Sequence, residues 1–364
     1  MAIRLFSHAL ALAVFLLGRA AAETESAAPP RVPPGLNRGY TLEVKPSVRI
    51  DARYQVSVSA PGARASEWIF LIPRPPDLPS QRILGAATAP PGEVVLERSP
   101  LRRPVLRIHM PVTAAAMATT ARAEARTAAL LFSRKLRKGV ATTPVAELSD
   151  ADRELYLRRT VKFHRDSPVL RKWIADERLT RGAAEGEIDF ARRVFQHIGR
   201  NFEYEYLGEQ DRSAPHVCAE GKSDCGGLSV LFATVLRSQG VPARTLAGRW
   251  AKSADPKEKV GDVIYRQEHI TAEFFAQGVG WVPVDPAGAI LHDRSSEKLA
   301  HFGNDPGLFL TLHLDAELLV DTGRSGVRPM DLMQRASYWM RGSGTLKESV
   351  MSEEWTVKRG PARP

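Results

Sequence analysis

One of only two cysteines in the chain, Cys225, stands between an aspartate and two glycines in "KSDCGGLSVLFATVLRSQGVPAR", which runs from Lys222 to Arg244. After it, Leu228, Leu231, Phe232, Val235 and Leu236 follow the spacing of a buried helix, and Gly240 and Pro242 end the pattern. Cys225 is thereby predicted at the amino end of that helix. Unpaired backbone N–H groups and the helix dipole favour an anion there, which suits a sulfur nucleophile better than a core thiol. Gly226 and Gly227 would let a substrate backbone approach, and the Cys225 N–H could face a developing oxyanion.

A sulfur nucleophile needs a general base and acid, normally a histidine held by a third group. Downstream, "EHITAEFFAQGVGWVPVDPA" reads as two strands around a glycine-containing turn. His269 and Asp285 are equidistant from Gln277, inside that turn. In an antiparallel hairpin folded at Gln277 they face each other, and the carboxylate could fix the imidazole. A one-residue slip would spoil the match.

These blocks in this order resemble the core of the transglutaminase-like superfamily, closely over about 222–248 and 268–287 and more loosely from about 150. The resemblance implies a papain-like α+β core and a triad attacking amide carbonyls, with Cys225 as nucleophile, His269 as base and acid, and Asp285 as orienter. Where many members read "HAW", this chain reads "HIT", which alters the cleft lining and spares the triad. Tyr204, Tyr206 and Gln210 are the candidates for a second oxyanion donor. The calcium sites of animal members have no visible counterpart, so neither a metal nor a cofactor is expected.

Each residue also has a structural reading. Cys218 and Cys225 could form a disulfide, the default for two cysteines in an oxidising compartment. His216, with Cys218, Cys225 and His269, could in principle bind zinc, although the spacing fits no usual ligand pattern. Elsewhere His109, His164, His197, His292, His301 and His313 read as structural, and Asp285 between two prolines could be a turn residue.

Residues 1–22 read as a signal peptide: Arg4, an apolar run from Leu5 to Gly18, and Ala20–Ala22 for cleavage. The chain is therefore expected to be exported, periplasmic or extracellular, with no stable membrane insertion after cleavage. Its formal charge is +10, or +8 without Arg4 and Arg19. That favours anionic surfaces, but the arginines are spread along the chain and no basic stripe is interleaved with aromatics, which excludes a nucleic-acid partner. A proline-rich linker is expected over 23–38, a β-sandwich-like domain over 39–145, a transglutaminase-like catalytic domain over 146–320 and a C-terminal extension over 321–364. The stretch from Thr113 to Leu136 is alanine-rich, so its helical propensity competes with a strand reading. The last ten residues are expected to fray.

The expected fold is thus α+β, a papain-like core preceded by a β-sandwich-like domain. The expected function is thiol acyl transfer on amide bonds of a protein or peptide substrate, in a cell-wall setting or not, hydrolytic rather than cross-linking. Two alternatives stand beside it. One is an NlpC/P60-type cell-wall peptidase, to which "GDVIY" at Gly261–Tyr265 is faintly similar. The other is a non-catalytic transglutaminase-like binding module.

Overall fold

The structure, a computed structural model, describes residues 35–139, 145, 147–260, 263–323, 325–345 and 349–362. The expected signal peptide and most of the expected linker lie outside them. Six strands come first: β1 (Tyr40–Ser59), β2 (Ala63–Pro73), β3 (Gln81–Ala89), β4 (Glu93–Leu96), β5 (Pro104–Pro111) and β6 (Thr120–Lys138). In β1, Ile50, Ala52, Tyr54, Val56 and Val58 alternate inward, the period of a strand with one buried face. The alanine-rich stretch resolves as a short 3₁₀ turn at Ala115–Ala118 followed by β6. β6 pairs with β1 from Thr120 to Lys138. Ala121, Ala123, Ala125, Ala129 and Leu131 fall on the buried face, so pairing and burial override helical propensity.

Helices and short strands follow: α1 (Asp150–Leu157), α2 (Pro168–Asp176), α3 (Glu187–Asn201), β7 (Glu203–Tyr204), α4 (Ala214–Glu220), β8 (Lys222–Ser223) and α5 (Cys225–Ser238). α5 packs on a four-stranded antiparallel sheet of β9 (Ala243–Trp250), β12 (Glu268–Ala276), β13 (Gly280–Val284) and β15 (Phe309–Leu314), in the order β13-β12-β9-β15. A small hairpin, β10 (Lys259–Val260) and β11 (Val263–Ile264), precedes β12, and α6 (Pro286–Leu291) follows β13. Residues Gly226 to Arg237 of α5 are all buried, and the Ser229 hydroxyl donates to the Ile270 carbonyl at 3.1 Å, tying helix to sheet. The architecture is α+β.

The remaining strands are β14 (Asn304–Asp305), β16 (Leu318–Asp321), β17 (Val327–Met330), β18 (Ser337–Gly344) and β19 (Val350–Gly360). They correct the expectation of a fraying end. β19 pairs with β1 from Val350 to Gly360, and Trp355 is buried in the sandwich with its indole N–H donating to the Trp250 carbonyl at 3.1 Å. β18 pairs with β2. The sandwich consists of β14-β6-β1-β19, with β3 also on β6, facing β18-β2-β5-β4. Both of its sheets are thus built from the two ends of the described chain.

Buried ion pairs join the layers. Arg237, at the end of α5, places Nη2 2.9 and 2.8 Å from the two carboxylate oxygens of Asp315, and both side chains are fully buried. Asp315 also accepts the Thr245 N–H at 3.0 Å, and the Arg237 guanidinium lies 4.0 Å over the Phe163 ring. Burial alone would raise the Asp315 pKa, but Arg237 and Arg158 hold it below its ordinary value. Removing one partner of such a pair leaves the other charged and dry. Asp315→Ala is therefore expected to cost about 3–5 kcal/mol of unfolding free energy, read as a lower midpoint in urea; a loss under about 1 kcal/mol would show that the pair is not structural.

Candidate active site

Cys225 opens α5. Asp224 caps the helix, its Oδ1 accepting the N–H groups of Gly226 and Gly227 at 3.0 and 3.1 Å. Arg212 holds that carboxylate in turn, with Nε 2.8 Å and Nη2 2.6 Å from Oδ2. The capping carboxylate thus takes the N–H groups next to the cysteine and fixes where the helix begins. Gly227 is required by packing within the protein: a Cβ there would stand 2.1 Å from the Ser223 hydroxyl oxygen. Both cysteines are free thiols, Cys225 half-buried and Cys218 buried, the latter donating to the Pro215 carbonyl at 3.3 Å. Burial pushes the Cys218 thiol up to about 11.

His269, near the start of β12, lies opposite Gly248 of β9. Its Nε2 is 2.8 Å from Oδ2 of Asp285, and the Cys225 thiol is near enough to the ring to raise its pKa. The route to this contact differs from the expected one. Ala272 pairs with Val284 and Ala276 with Gly280, so the hairpin is centred on Gly278, which has φ +79°, and not on Gln277. Extending the register places Ala287, not Asp285, opposite His269. This is a two-position shift, which keeps the face; one position would have reversed it. The ladder ends at Val284, and Asp285 caps α6, with Oδ1 accepting the Gly288 N–H at 2.9 Å. One carboxylate thus fixes both the helix start and the imidazole. Its backbone N–H is anchored to the His301 carbonyl at 3.0 Å.

Three further contacts fix the imidazole. Trp250 stacks on it with centroids 5.1 Å apart and planes at 23°, Phe309 meets it edge-on at 6.2 Å, and the Gln334 amide donates to its backbone carbonyl at 2.7 Å. Burial favours the neutral ring. The Asp285 charge and hydrogen bond, with Cys225 adding to them, outweigh that and raise the His269 pKa well above its ordinary value. Asp285 is lowered: burial opposes ionisation, but the His269 charge and hydrogen bond and the Gly288 N–H prevail.

Cys225 opens into a cavity of about 300 Å³. A larger cavity of about 680 Å³ touches His269 and Asp285 but not Cys225. Tyr204, Val260, Tyr265 and Glu268 line both and form the partition. Thr271, the "HIT" threonine, lines the larger one. Burial first, then the neighbouring Cys225, raises the pKa of the Tyr204 and Tyr265 hydroxyls, which stay protonated as hydrogen-bond donors. Of the three candidate oxyanion donors, Tyr204 and Tyr206 line the cysteine cavity and Gln210 does not. His216 faces solvent from α4, whereas Cys218 points into the core, so the zinc grouping is not assembled. No cluster of metal-ligating side chains occurs among the described residues.

Trp250, Tyr265 and the segment 332–335 were not singled out as site residues by the sequence. Tyr265 stands in the "GDVIY" stretch, but nothing in the sequence marks the others.

Residues 175–286 match the sequence model of the transglutaminase-like superfamily, and the matched stretch holds Cys225, His269 and Asp285. Among solved structures, a candidate cysteine protease from Cytophaga hutchinsonii is similar at 15% identity and a TM-score of 0.53, over 87% of this chain and 92% of its own. That is a likeness of fold, and it extends over sandwich and core together. The periplasmic domain of TgpA from Pseudomonas aeruginosa matches at 14% identity and a TM-score of 0.34, over 71% of this chain and 93% of its own. No curated protein matches the chain.

The two shifted groups have opposite consequences for stability. The stability from His269, whose pKa is raised on folding, is complete below about pH 6.5 and is lost as pH rises through the folded value. That from Asp285, whose pKa is lowered, is present above its unfolded value and is lost as pH falls through the folded one. The difference in melting temperature between the native chain and His269→Gln should therefore shrink as pH is raised from neutrality; a difference constant with pH would contradict the raised value.

Proposed function

We propose that the protein is an exported cysteine enzyme that hydrolyses amide bonds of proteins or peptides through Cys225, His269 and Asp285. The observation that carries this is the imidazole bonded to the Asp285 carboxylate at 2.8 Å, with the thiol at the start of α5 near enough to raise the pKa of the ring. The amino-terminal apolar run followed by Ala20–Ala22 supports export, and no helix among the described residues is long and apolar enough to cross a membrane.

The reaction follows from the arrangement. The Cys225 sulfur, its proton taken by His269, forms a bond to the amide carbonyl carbon. The carbonyl oxygen becomes an oxyanion, with the Cys225 N–H, left over by the Asp224 cap, and a protonated tyrosine, Tyr204 or Tyr265, as its candidate donors. The C–N bond then breaks, and His269 gives its proton to the departing amine. That leaves a thioester on Cys225. Water next loses a proton to His269 and attacks the thioester, the C–S bond breaks, and the sulfur recovers the proton. Asp285 holds the ring orientation and offsets its charge throughout. The half-exposed thiol and its open cavity support water as the acceptor. The larger cavity, lined by His269 and Asp285, has room for a bulkier acceptor, so transfer to an amine is the second reading.

Incubation with casein, or with purified peptidoglycan, in ¹⁸O-water containing a fluorescent primary amine separates the readings. Hydrolysis predicts ¹⁸O at new carboxyl ends. Cys225→Ala should abolish it and His269→Ala should lower it at least about a hundredfold. Amine incorporation in its place would make the protein a transferase. Products from peptidoglycan alone would favour a cell-wall peptidase, and full biological effect from Cys225→Ala would favour a binding module.

A further inference from the structure

The cavity in front of Cys225 has a wall from the distant C-terminal segment: Leu332, Gln334 and Arg335. Gln334 pins this segment to the catalytic sheet, its amide nitrogen donating to the carbonyls of Gly248 at 2.9 Å and His269 at 2.7 Å. Among the described residues, the charged side chains lining this cavity are Arg212, Asp224, Arg266, Glu268 and Arg335. Arg212 is neutralised by Asp224. The other three join two groups just behind the wall, Arg249 and Glu353, which are 1% and 2% exposed.

Within that set the cations outnumber the anions by one. Glu268 Oε1 accepts from Arg249 Nη2 at 3.0 Å and from Arg335 Nε at 2.7 Å. Glu353 is shared among Arg249 at 3.2 Å, Arg266 at 3.3 Å and Arg335 at 3.5 Å, and also accepts the Tyr54 hydroxyl at 2.6 Å. Three guanidinium groups therefore face two carboxylates, both already used more than once. Arg335 spends only Nε, its two Nη groups hydrogen-bond to no described residue, and its side chain is 42% exposed. The buried Nε of Arg266 also makes no hydrogen bond, lying near Glu353 without the alignment for one. Tyr206, itself in the cavity wall, lies within electrostatic reach of Arg335 and Arg212.

A guanidinium held by its Nε with both Nη groups free presents the flat fork that pairs with a carboxylate. We propose that Arg335, backed by Arg266, forms a carboxylate-binding subsite in the Cys225 cavity, so that the preferred substrate carries a carboxylate beside the amide under attack. The carboxylate is that of an acidic side chain or a free chain end, and it accepts from the guanidinium. The proposal rests on Cys225 being the nucleophile, and its test keeps the two apart.

The test measures labelling rates of Cys225 in the full chain with N-ethylmaleimide and with 3-maleimidopropionic acid, two reagents of similar size that differ by a carboxylate. Each rate is normalised to 2-mercaptoethanol, and the labelled residue is located by peptide mass. The expected result is a carboxylate preference of about tenfold that falls toward unity in Arg335→Gln, is partly kept in Arg335→Lys, and declines with added salt. N-ethylmaleimide is the denominator in each variant and reports thiol reactivity alone. Should Arg335→Gln fail to fold, the salt series on the native chain still decides. Equal rates for both reagents on the native chain, or a preference that survives both Arg335→Gln and Arg266→Gln, would overturn the subsite. A Cys225 that neither reagent labels would instead overturn the nucleophile.

Discussion

Burial drives the His269 ring toward its neutral form, and the Asp285 carboxylate, equally buried and 2.8 Å away, reverses that balance. The rest of the site is arranged around keeping this pair together. Asp285 cannot turn aside, because its other oxygen caps α6 and its backbone N–H is tied to His301. The ring cannot turn either, because Trp250 covers one face and Phe309 meets its edge. Orientation is thus fixed before any substrate arrives, which is where much of the advantage of an intramolecular proton acceptor lies.

The sandwich belongs to the same construction. Its central strand β1 pairs with the last strand β19, and Tyr54 on β1 reaches Glu353 on β19. Glu353 meets Arg249, which closes over the Tyr54 ring at 4.7 Å and emerges from β9 one position after Gly248, the residue opposite His269. Chain ends, sandwich and catalytic sheet therefore converge on one buried arginine. The segment 332–335 leaves this junction to form the cavity wall.

Much of the chemistry was legible because it is local. The helix after Cys225 declares itself by apolar spacing, and the hairpin by alternation around a glycine turn. The centre of that hairpin was displaced from Gln277 to Gly278, and the contact survived because a two-position shift keeps both side chains on one face. That Asp285 would act as a helix cap and not as a strand residue was hinted at only by Pro286. What remained hidden depends on pairing across long sequence separations. Nothing in "DLMQRAS" reveals that Gln334 bonds the His269 carbonyl, and no local signal marks Trp250 as a stacking partner. The alanines of β6 were ambiguous because propensity is a local quantity, whereas their burial is decided by β1, whose Ser59 meets Thr120 and whose Tyr40 meets Lys138 across far longer stretches of chain.

The most direct measurement of the central claim is proton and nitrogen NMR of the His269 imidazole across a pH titration. Expected are a downfield Nε2 proton shared with Asp285, lost in Asp285→Asn, and a titration midpoint well above that of an ordinary histidine. A ring titrating as an ordinary solvent-exposed histidine, unchanged by Asp285→Asn, would contradict it.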